Sequence, residues 1–316
     1  VAAAGFLIPK TSSRAITTPA GTADVMEVIA PVTFTPSDID RIVHEVGGCI
    51  VWGGKLGIAP ADDVIIHVEE VLSFESFDKV IISIMAKKIA VGANHLVLDI
   101  PVGKTMKIKH LPDAEKVAEK FIELGRHFGI HVVADVNKVV QPAGRGIGPA
   151  LEAVDVLQVL EQHADRPMPL EKKALRLAGK LLDLCYKESG ENKDGHEEAA
   201  AILQSGKALA KFREIVKAQG GQENVSSHSI MPKVHKHEVT AEKHGTIAHI
   251  NNYNLNTIAR VLGAPLDKFA GLVIHKRIDD KVSRGELLMT FYTSDKHKIH
   301  EALETYENVP IYEVQN

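Results

Sequence analysis

Three hydroxyl residues in succession, Thr11-Ser12-Ser13, then Arg14, the pair Thr17-Thr18 and the run Pro19-Ala20-Gly21-Thr22, form the densest cluster of ligand-capable groups in the 316-residue chain. Hydroxyls and main-chain N–H groups ahead of a helix hold anions, because the first amides of a helix lack intrahelical partners and its dipole favours negative charge. The same residues also satisfy a simpler pattern. Thr22 can cap a helix that begins near Ala23, with Asp24 favourable in the first turn. Lys10 to Thr22 is therefore read as an anion site or as a capped helix after a polar turn, and the residue types leave both open.

Other candidates carry chemistry more weakly. Ser83 and Lys87 stand four apart on a helical stretch and share one face, so they can present a hydroxyl and an ammonium to one ligand; an ordinary amphipathic helix end reads the same way. Glu75, two turns upstream, becomes a proton donor if burial raises its pKa. The loop Trp52 to Asp63 offers glycines and the adjacent Asp62 and Asp63, but no third oxygen ligand at calcium-loop spacing, and Trp52 reads as a packing residue. Gly103-Lys104-Thr105 lacks the upstream glycine of a P-loop. The glycine-rich run Gln141 to Ala150 lacks the spacing of a dinucleotide fingerprint. The histidines, including His228, His235, His237, His244 and His249, show no metal-ligand spacing.

These residues must be positioned by a scaffold, and its class is legible. With 45% hydrophobic and 25% charged residues the chain can bury a sizeable core, and its length suggests about two domains. A net charge of −4 with no basic stripe argues against a nucleic-acid partner, so small anions must be held by local geometry. No apolar run is long enough to span a membrane. Cys49 and Cys185 lie apart in apolar runs and are expected as buried, reduced thiols of a cytoplasmic protein. The opening Val-Ala-Ala-Ala-Gly-Phe-Leu-Ile-Pro lacks an initiator Met and a signal pattern, and is expected to start within a domain.

Strands are expected at Gly5–Ile8, Cys49–Trp52, His95–Leu98 and His131–Asp135. Helices are expected at Thr22–Ile29, Pro36–Val46, Phe77–Ala90 and Asp113–Phe128, the second opening with the cap Thr35-Pro36-Ser37-Asp38. This alternation predicts an α/β fold with a largely parallel sheet covered by helices. Helical periods at Leu170–Tyr186 and Glu197–Ala218 follow. Residues 1–224 are taken as the α/β domain and 225–316 as a smaller α+β C-terminal domain. Ligands of such sheets gather beyond strand C-termini, which directs attention to the loops at residues 9–21, 53–63, 99–107 and 135–149.

Several of these segments together resemble the thymidine and pyrimidine-nucleoside phosphorylases: Ser12-Ser13-Arg14 with Gly21-Thr22, Ala59-Pro60-Ala61-Asp62, and Ser83-Ile84-Met85-Ala86-Lys87-Lys88. The wording Ser-Ser-Arg-Ala-Ile-Thr is nearer to the branch that joins the AMP phosphorylases with the related type 2 thymidine phosphorylases. The likeness continues through Gly245-Thr246-Ile247-Ala248, Lys268-Phe269-Ala270-Gly271 and Asp280 to Glu286. It implies phosphorolysis: phosphate attacks the anomeric carbon of a nucleoside or nucleoside monophosphate, releasing the base and a ribose phosphate, with no metal or organic cofactor.

Carried over by position, the resemblance gives Ser12 and Thr22 to the phosphate. Ser13, Arg14, Ala15, Ile16, Thr17, Thr18 and Thr22 go to the nucleotide, Ser83 and Lys87 to the base, and Lys107 to a further nucleotide contact. Glu75 stands where the AMP-specific branch has an aspartate proton donor, so its carboxyl reaches one methylene further. Val68 stands where thymidine phosphorylases carry an arginine, which argues against simple thymidine recognition. The family's upstream helical segment and first phosphate loop have no counterpart in this sequence. A homodimer or larger homo-oligomer is implied. Two alternatives stand beside this reading: a magnesium-dependent enzyme related to anthranilate phosphoribosyltransferase, and a non-catalytic binding or dimerisation module.

Overall fold

The computed structural model describes residues 1–55 and 77–315. The described chain is mixed α/β and divides into two compact units interleaved along the sequence: Val1–Ser13, Pro31–Val139 and Lys172–Gly221 form one, and Arg14–Ala30, Val140–Glu171 and Gln222–Asn316 the other. The linear division at 224 thus falls near only one of the crossings. Two earlier segments, Arg14–Ala30 and Val140–Glu171, join the C-terminal part.

In the first unit the strands pair in parallel. Strand β1 (Ile8–Ser12) runs beside β2 (Gly48–Trp52), with Ile8 opposite Gly48 and Ser12 opposite Trp52. This is a correction to Gly5–Ile8: the polar residues Lys10, Thr11 and Ser12 lie in the strand, because the register with β2 carries the hydrogen-bond ladder to Ser12. Helix α1 (Thr22–Glu27) belongs to the other unit. Helix α2 (Pro36–Val46) has the expected bounds; the Thr35 hydroxyl accepts from the Asp38 N–H at 3.2 Å, Asp38 reaches back to the Thr35 N–H at 3.3 Å, and Gly47 closes the helix in the left-handed region. Ile42 and Val43 on α2 pack on Cys49 and Val51 of β2. The Gln219 side chain fastens the same strand, accepting from the Ile50 N–H and donating to the carbonyls of Ile50 and Pro31.

Helix α3 (Phe77–Ala90), β3 (His95–Val102), α4 (Leu111–His127) and β4 (His131–Lys138) complete the α/β alternation. Strands β3 and β4 are parallel, and Met85, Phe121 and Ile130 are buried between the helices and the strands. Their register sets Asp99 beside Asp135, two like charges that would repel. Helix α6 (Met168–Ser189) resolves this, since Lys173, Arg176 and Lys180 recur along one face. Lys173 meets Asp99 at 2.6 Å, and Arg176 and Lys180 hold the buried Asp135 at 2.9 and 2.6 Å. Burial acts to raise the Asp135 pKa, but the two cations outweigh it and keep the carboxyl below its ordinary value. The helix is more than packing.

The expected helix Glu197–Ala218 is two: α7 (Gly195–Gln204) and α8 (Lys207–Ala218), separated where Gly206 takes a φ of 78° that other residues rarely adopt. Cys49 is buried, its thiol pushed up to about 11 by burial, and Cys185 is half-buried; neither is in a disulfide.

The second unit holds α5 (Pro149–Leu160), β5 (Gly146–Ile147), β6 (His235–Thr240), β7 (Gly245–Ile250), α9 (Asn252–Val261), β8 (Gly271–Ile274), β9 (Lys281–Val282), β10 (Leu287–Thr293), α10 (Lys296–Asn308) and β11 (Tyr312–Gln315). Antiparallel sheets in the orders β5-β8-β10-β6 and β11-β7-β9 enclose a core around Ile247, Leu255, Ile258, Leu272 and Phe291. No described helix is long and apolar enough to cross a membrane.

Candidate anion-binding site

In the first unit, the C-terminal end of β1 carries the signal. Thr11 is buried, and both its Oγ1 and the Oγ of Ser12 are enclosed without a hydrogen-bond partner. Enclosed hydroxyls are ordinarily paired, because an unmade hydrogen bond costs about 1–3 kcal/mol. Successive residues of a strand face opposite sides, so Ser12, on the same side as Lys10 and at the C-terminal end of a parallel strand, is the hydroxyl placed where a ligand can supply the partner.

Cations stand nearby. The ammonium of Lys88 on α3 is lowered to about 8, first by burial and then by the charges of Lys10 and Lys87. Burial also lowers Lys10. A buried lysine whose ammonium is further disfavoured by neighbouring positive charge is a setting in which an anion is favourable. Ser83 and Lys87 do share a face of α3, with the Lys87 ammonium donating to the Ser83 hydroxyl at 3.4 Å. Lys107 lies exposed in the loop after β3. Ser13 is exposed at the exit of β1. Glu75, Val68, Asp62 and Asp63 lie outside the described residues.

In the second unit, residues 14–22 form a loop closed on itself. Gly21, not Thr22, is the N-cap of α1; Thr22 is the first helical residue, and Asp24 in the third position takes the Gly21 N–H at 3.0 Å. The same carboxylate oxygen takes the Ala15 N–H at 2.7 Å. Asp24 thus occupies the main-chain N–H groups of Ala15 and Gly21, and the helix has only six residues. Thr17, Thr18 and Thr22 are exposed, whereas Pro19 is buried. The Thr18 hydroxyl donates to the Ala20 carbonyl at 3.1 Å, and Ile16 is exposed.

Arg14 is held by carboxylates. Its guanidinium forks onto Glu27 with two contacts of 2.6 Å and reaches Asp24 at 3.2 Å. Lys268 completes the group, at 2.8 Å from Asp24 and 3.1 Å from Glu27. The Arg14 hydrogen bond in particular lowers Glu27 to about 2. Burial works against ionisation of Asp24, but Lys268 and the two amides keep it below its ordinary value. Glu152 on α5 is pushed up to about 7 by burial, with Asp155 and Asp24 adding to the rise.

The glycine-rich run before α5 is explained without a ligand. Asp155 takes the N–H groups of Arg145 and Gly146 at 2.5 and 2.8 Å, and Arg277 donates to the carbonyls of Pro142, Ala143 and Gly144. A Cβ on Gly146 would stand 2.4 Å from the Leu151 carbonyl oxygen, so close backbone approach requires glycine there. Among the described residues no group of three or more His, Cys, Asp or Glu is placed to hold a metal ion.

Sequence reasoning placed Lys10 and Thr11 in a possible anion loop without giving either a role, and passed over Lys88, Glu27 and Lys268 as site residues. Asp24 and Glu27, three apart on one helical face opposite a conspicuous arginine, were a usable signal. The unpartnered state of Thr11 and Ser12 leaves no trace in sequence.

Comparison with known proteins decides the family. The glycosyl transferase family, a/b domain, matches residues 1–209, and the pyrimidine nucleoside phosphorylase C-terminal domain matches residues 246–312. The chain belongs to this glycosyl transferase family. AMP phosphorylase 1 of Archaeoglobus fulgidus is 45% identical over 96% of the chain and 59% of its own length. The AMP phosphorylase of Methanococcoides burtonii is 43% identical over 100% of the chain and 62% of its own length. A protein of Acidovorax sp. provisionally named thymidine phosphorylase 1 is 44% identical over 92% of the chain and 56% of its own length. The chain therefore spans about three fifths of the length of the curated relatives it matches. Within the glycosyl transferase family match lie every described residue singled out in β1, the 13–22 loop, α3 and the loop after β3.

Proposed function

We propose that the protein containing this chain catalyses phosphorolysis of a nucleoside or nucleoside monophosphate, releasing free base and a pentose phosphate. The observation that carries the reading is the enclosed, unpartnered hydroxyl of Ser12 at the end of β1, in the unit that also holds Lys10, lowered by burial, and Lys88, lowered by burial and by the charges of Lys10 and Lys87. Such a place suits a tetrahedral oxyanion, whose several acceptors take hydroxyl and ammonium donors together. The names of the relatives supply the reaction class.

In this mechanism Ser12 and Thr22 hold phosphate, and the hydroxyls and main chain of residues 13–18 meet the sugar phosphate. Ser83 and Lys87 hold the base, and Lys107 makes a further nucleotide contact. Holding phosphate and the anomeric carbon in line supplies much of the rate, and fixed positive charge stabilises the charge that develops on the departing base. Glu75 is proposed to protonate that base, which requires its carboxyl to be protonated in the complex. The enzyme acts in the cytoplasm as a homo-oligomer on this reading.

A product assay tests it. Full-length protein is incubated with phosphate and, separately, AMP, CMP, UMP, thymidine and uridine, and free base is measured. Release of base from none of them in the presence of phosphate sinks the proposal, and strict magnesium dependence redirects it to a phosphoribosyltransferase. Unchanged turnover in Glu75→Gln removes Glu75 as the donor.

A further inference from the structure

We infer that Lys268 and Glu27 are positioning residues for the substrate loop 14–21, acting through Arg14 and Asp24, and that the Arg14 guanidinium is a strut of this loop rather than the group that grips the substrate. The inference rests on the proposed phosphorylase reading for the statement that this loop meets substrate. The clamp itself stands on geometry within one unit.

Asp24 draws both ends of the loop onto a single oxygen, at 2.7 Å from the Ala15 N–H and 3.0 Å from the Gly21 N–H. Its other oxygen takes Lys268 at 2.8 Å and Arg14 at 3.2 Å. Glu27 takes Arg14 through both oxygens at 2.6 Å and Lys268 at 3.1 Å. Each carboxylate thus touches both cations, and each cation touches both carboxylates. Bidentate guanidinium–carboxylate pairing fixes orientation as well as distance, so the Arg14 side chain and the backbone that carries it have little freedom.

Lys268 is presented by a turn that is itself tied down. Its carbonyl accepts from the Ala150 N–H at 3.0 Å, and the neighbouring Asp267 carboxylate accepts from the N–H groups of Phe269 and Ser294. The lysine therefore transmits a fixed point of residues 263–270 to a loop beside which Thr17 and Thr22 are exposed, and within which the exposed Thr18 ties its hydroxyl to the Ala20 carbonyl. A loop so clamped can offer its main chain and the Thr17 hydroxyl to a phosphorylated ligand without reordering on binding, which is where preorganisation raises affinity.

The experiment uses full-length protein and titration calorimetry with AMP and with inorganic phosphate, on wild type, Lys268→Met, Lys268→Arg and Glu27→Gln. Steady-state kinetics and hydrogen exchange at the Ala15 and Gly21 amides accompany it. The expected result is an AMP affinity about tenfold weaker in Lys268→Met and in Glu27→Gln, with KM rising alike, kcat within about twofold and recovery in Lys268→Arg. Exchange at Ala15 and Gly21, measured without ligand, is expected to quicken about tenfold in Lys268→Met.

If wild type binds AMP and either Lys268→Met or Glu27→Gln binds it equally well, the inference falls while the phosphorylase reading stands. Tighter binding by Glu27→Gln would show that Glu27 restrains an arginine meant for the substrate, and overturns the strut. If wild type releases no base and binds neither ligand, the phosphorylase reading and the positioning role fall together. Unchanged exchange at the two amides overturns the clamp whatever the ligand result.

Discussion

The end of β1 and the loop 14–21 are consecutive in sequence yet opposite in how their polar groups are satisfied. At Thr11 and Ser12 the hydroxyls are enclosed and unpartnered, and Lys88 feels Lys10 and Lys87 as like charges. In the loop, Asp24, Glu27, Arg14 and Lys268 satisfy one another and the main chain around them. Polar groups left unmet lower stability and await a ligand; polar groups fully met hold a shape. The two regions should therefore fail differently, the first in affinity and the second in stability.

The largest effect is expected where the met groups converge. Asp24→Asn keeps the size of the side chain but removes the charge that two cations share, and turns an N–H₂ toward donors. Breaking a buried charge pair on one side costs about 3–5 kcal/mol, and because Arg14 and Lys268 are partly exposed the expectation here is about 2–4 kcal/mol. A shift of the denaturation midpoint in urea measures it. No shift would mean that the cluster is ornamental and the contrast between the regions false.

Ser12→Ala is expected to do the reverse. Stability should stay within about 0.5 kcal/mol of wild type or rise, since the hydroxyl has no partner to lose. Phosphate affinity should fall about ten- to hundredfold, the worth of a hydrogen bond to a charged ligand. Thr11→Val, nearly isosteric, should stabilise the first unit, and its effect on phosphate affinity tells whether Thr11 also faces the ligand. Wild-type phosphate binding by Ser12→Ala would remove the hydroxyl from the site.

How much of this was legible follows from which interactions are local. The helix Pro36–Val46 was readable to its ends because Thr35, Pro36, Asp38 and Gly47 each act within one turn. Phe77–Ala90 was readable from its apolar period. Strand β1 was displaced because Lys10, Thr11 and Ser12 look like a loop; only the parallel ladder with β2, forty residues on, makes them strand. Gly206, inside an unbroken apolar period, hid the division between α7 and α8. Within the candidate site, the i, i+4 spacing announced that Ser83 and Lys87 share a face. Lys268 lies 244 residues from Asp24, so its part in the loop belongs to the tertiary fold and not to any local pattern.

The smallest effect, and the one that tests the open region most directly, concerns Lys88. Its ordinary value of 10.5 falls to about 8, through burial first and then the charges of Lys10 and Lys87. The ammonium is therefore charged below about pH 8 and is lost as pH rises through that value. An anion held among these lysines favours the charged form, so binding takes up part of a proton, and affinity must decline above pH 8 by linkage. Inorganic phosphate is already mostly dianionic there, so its own titration does not mask the change. One partly exposed charge contact is worth up to about 1 kcal/mol, which sets the decline at about fivefold or less. Phosphate titrations at constant ionic strength from about pH 7 to pH 9.5 read it, with Lys88→Arg as the variant whose charge persists. A decline near pH 8 that disappears in Lys88→Arg assigns the proton to Lys88. A flat profile in wild type means that the anion does not meet this lysine, and confines the open region to the hydroxyls of Thr11 and Ser12.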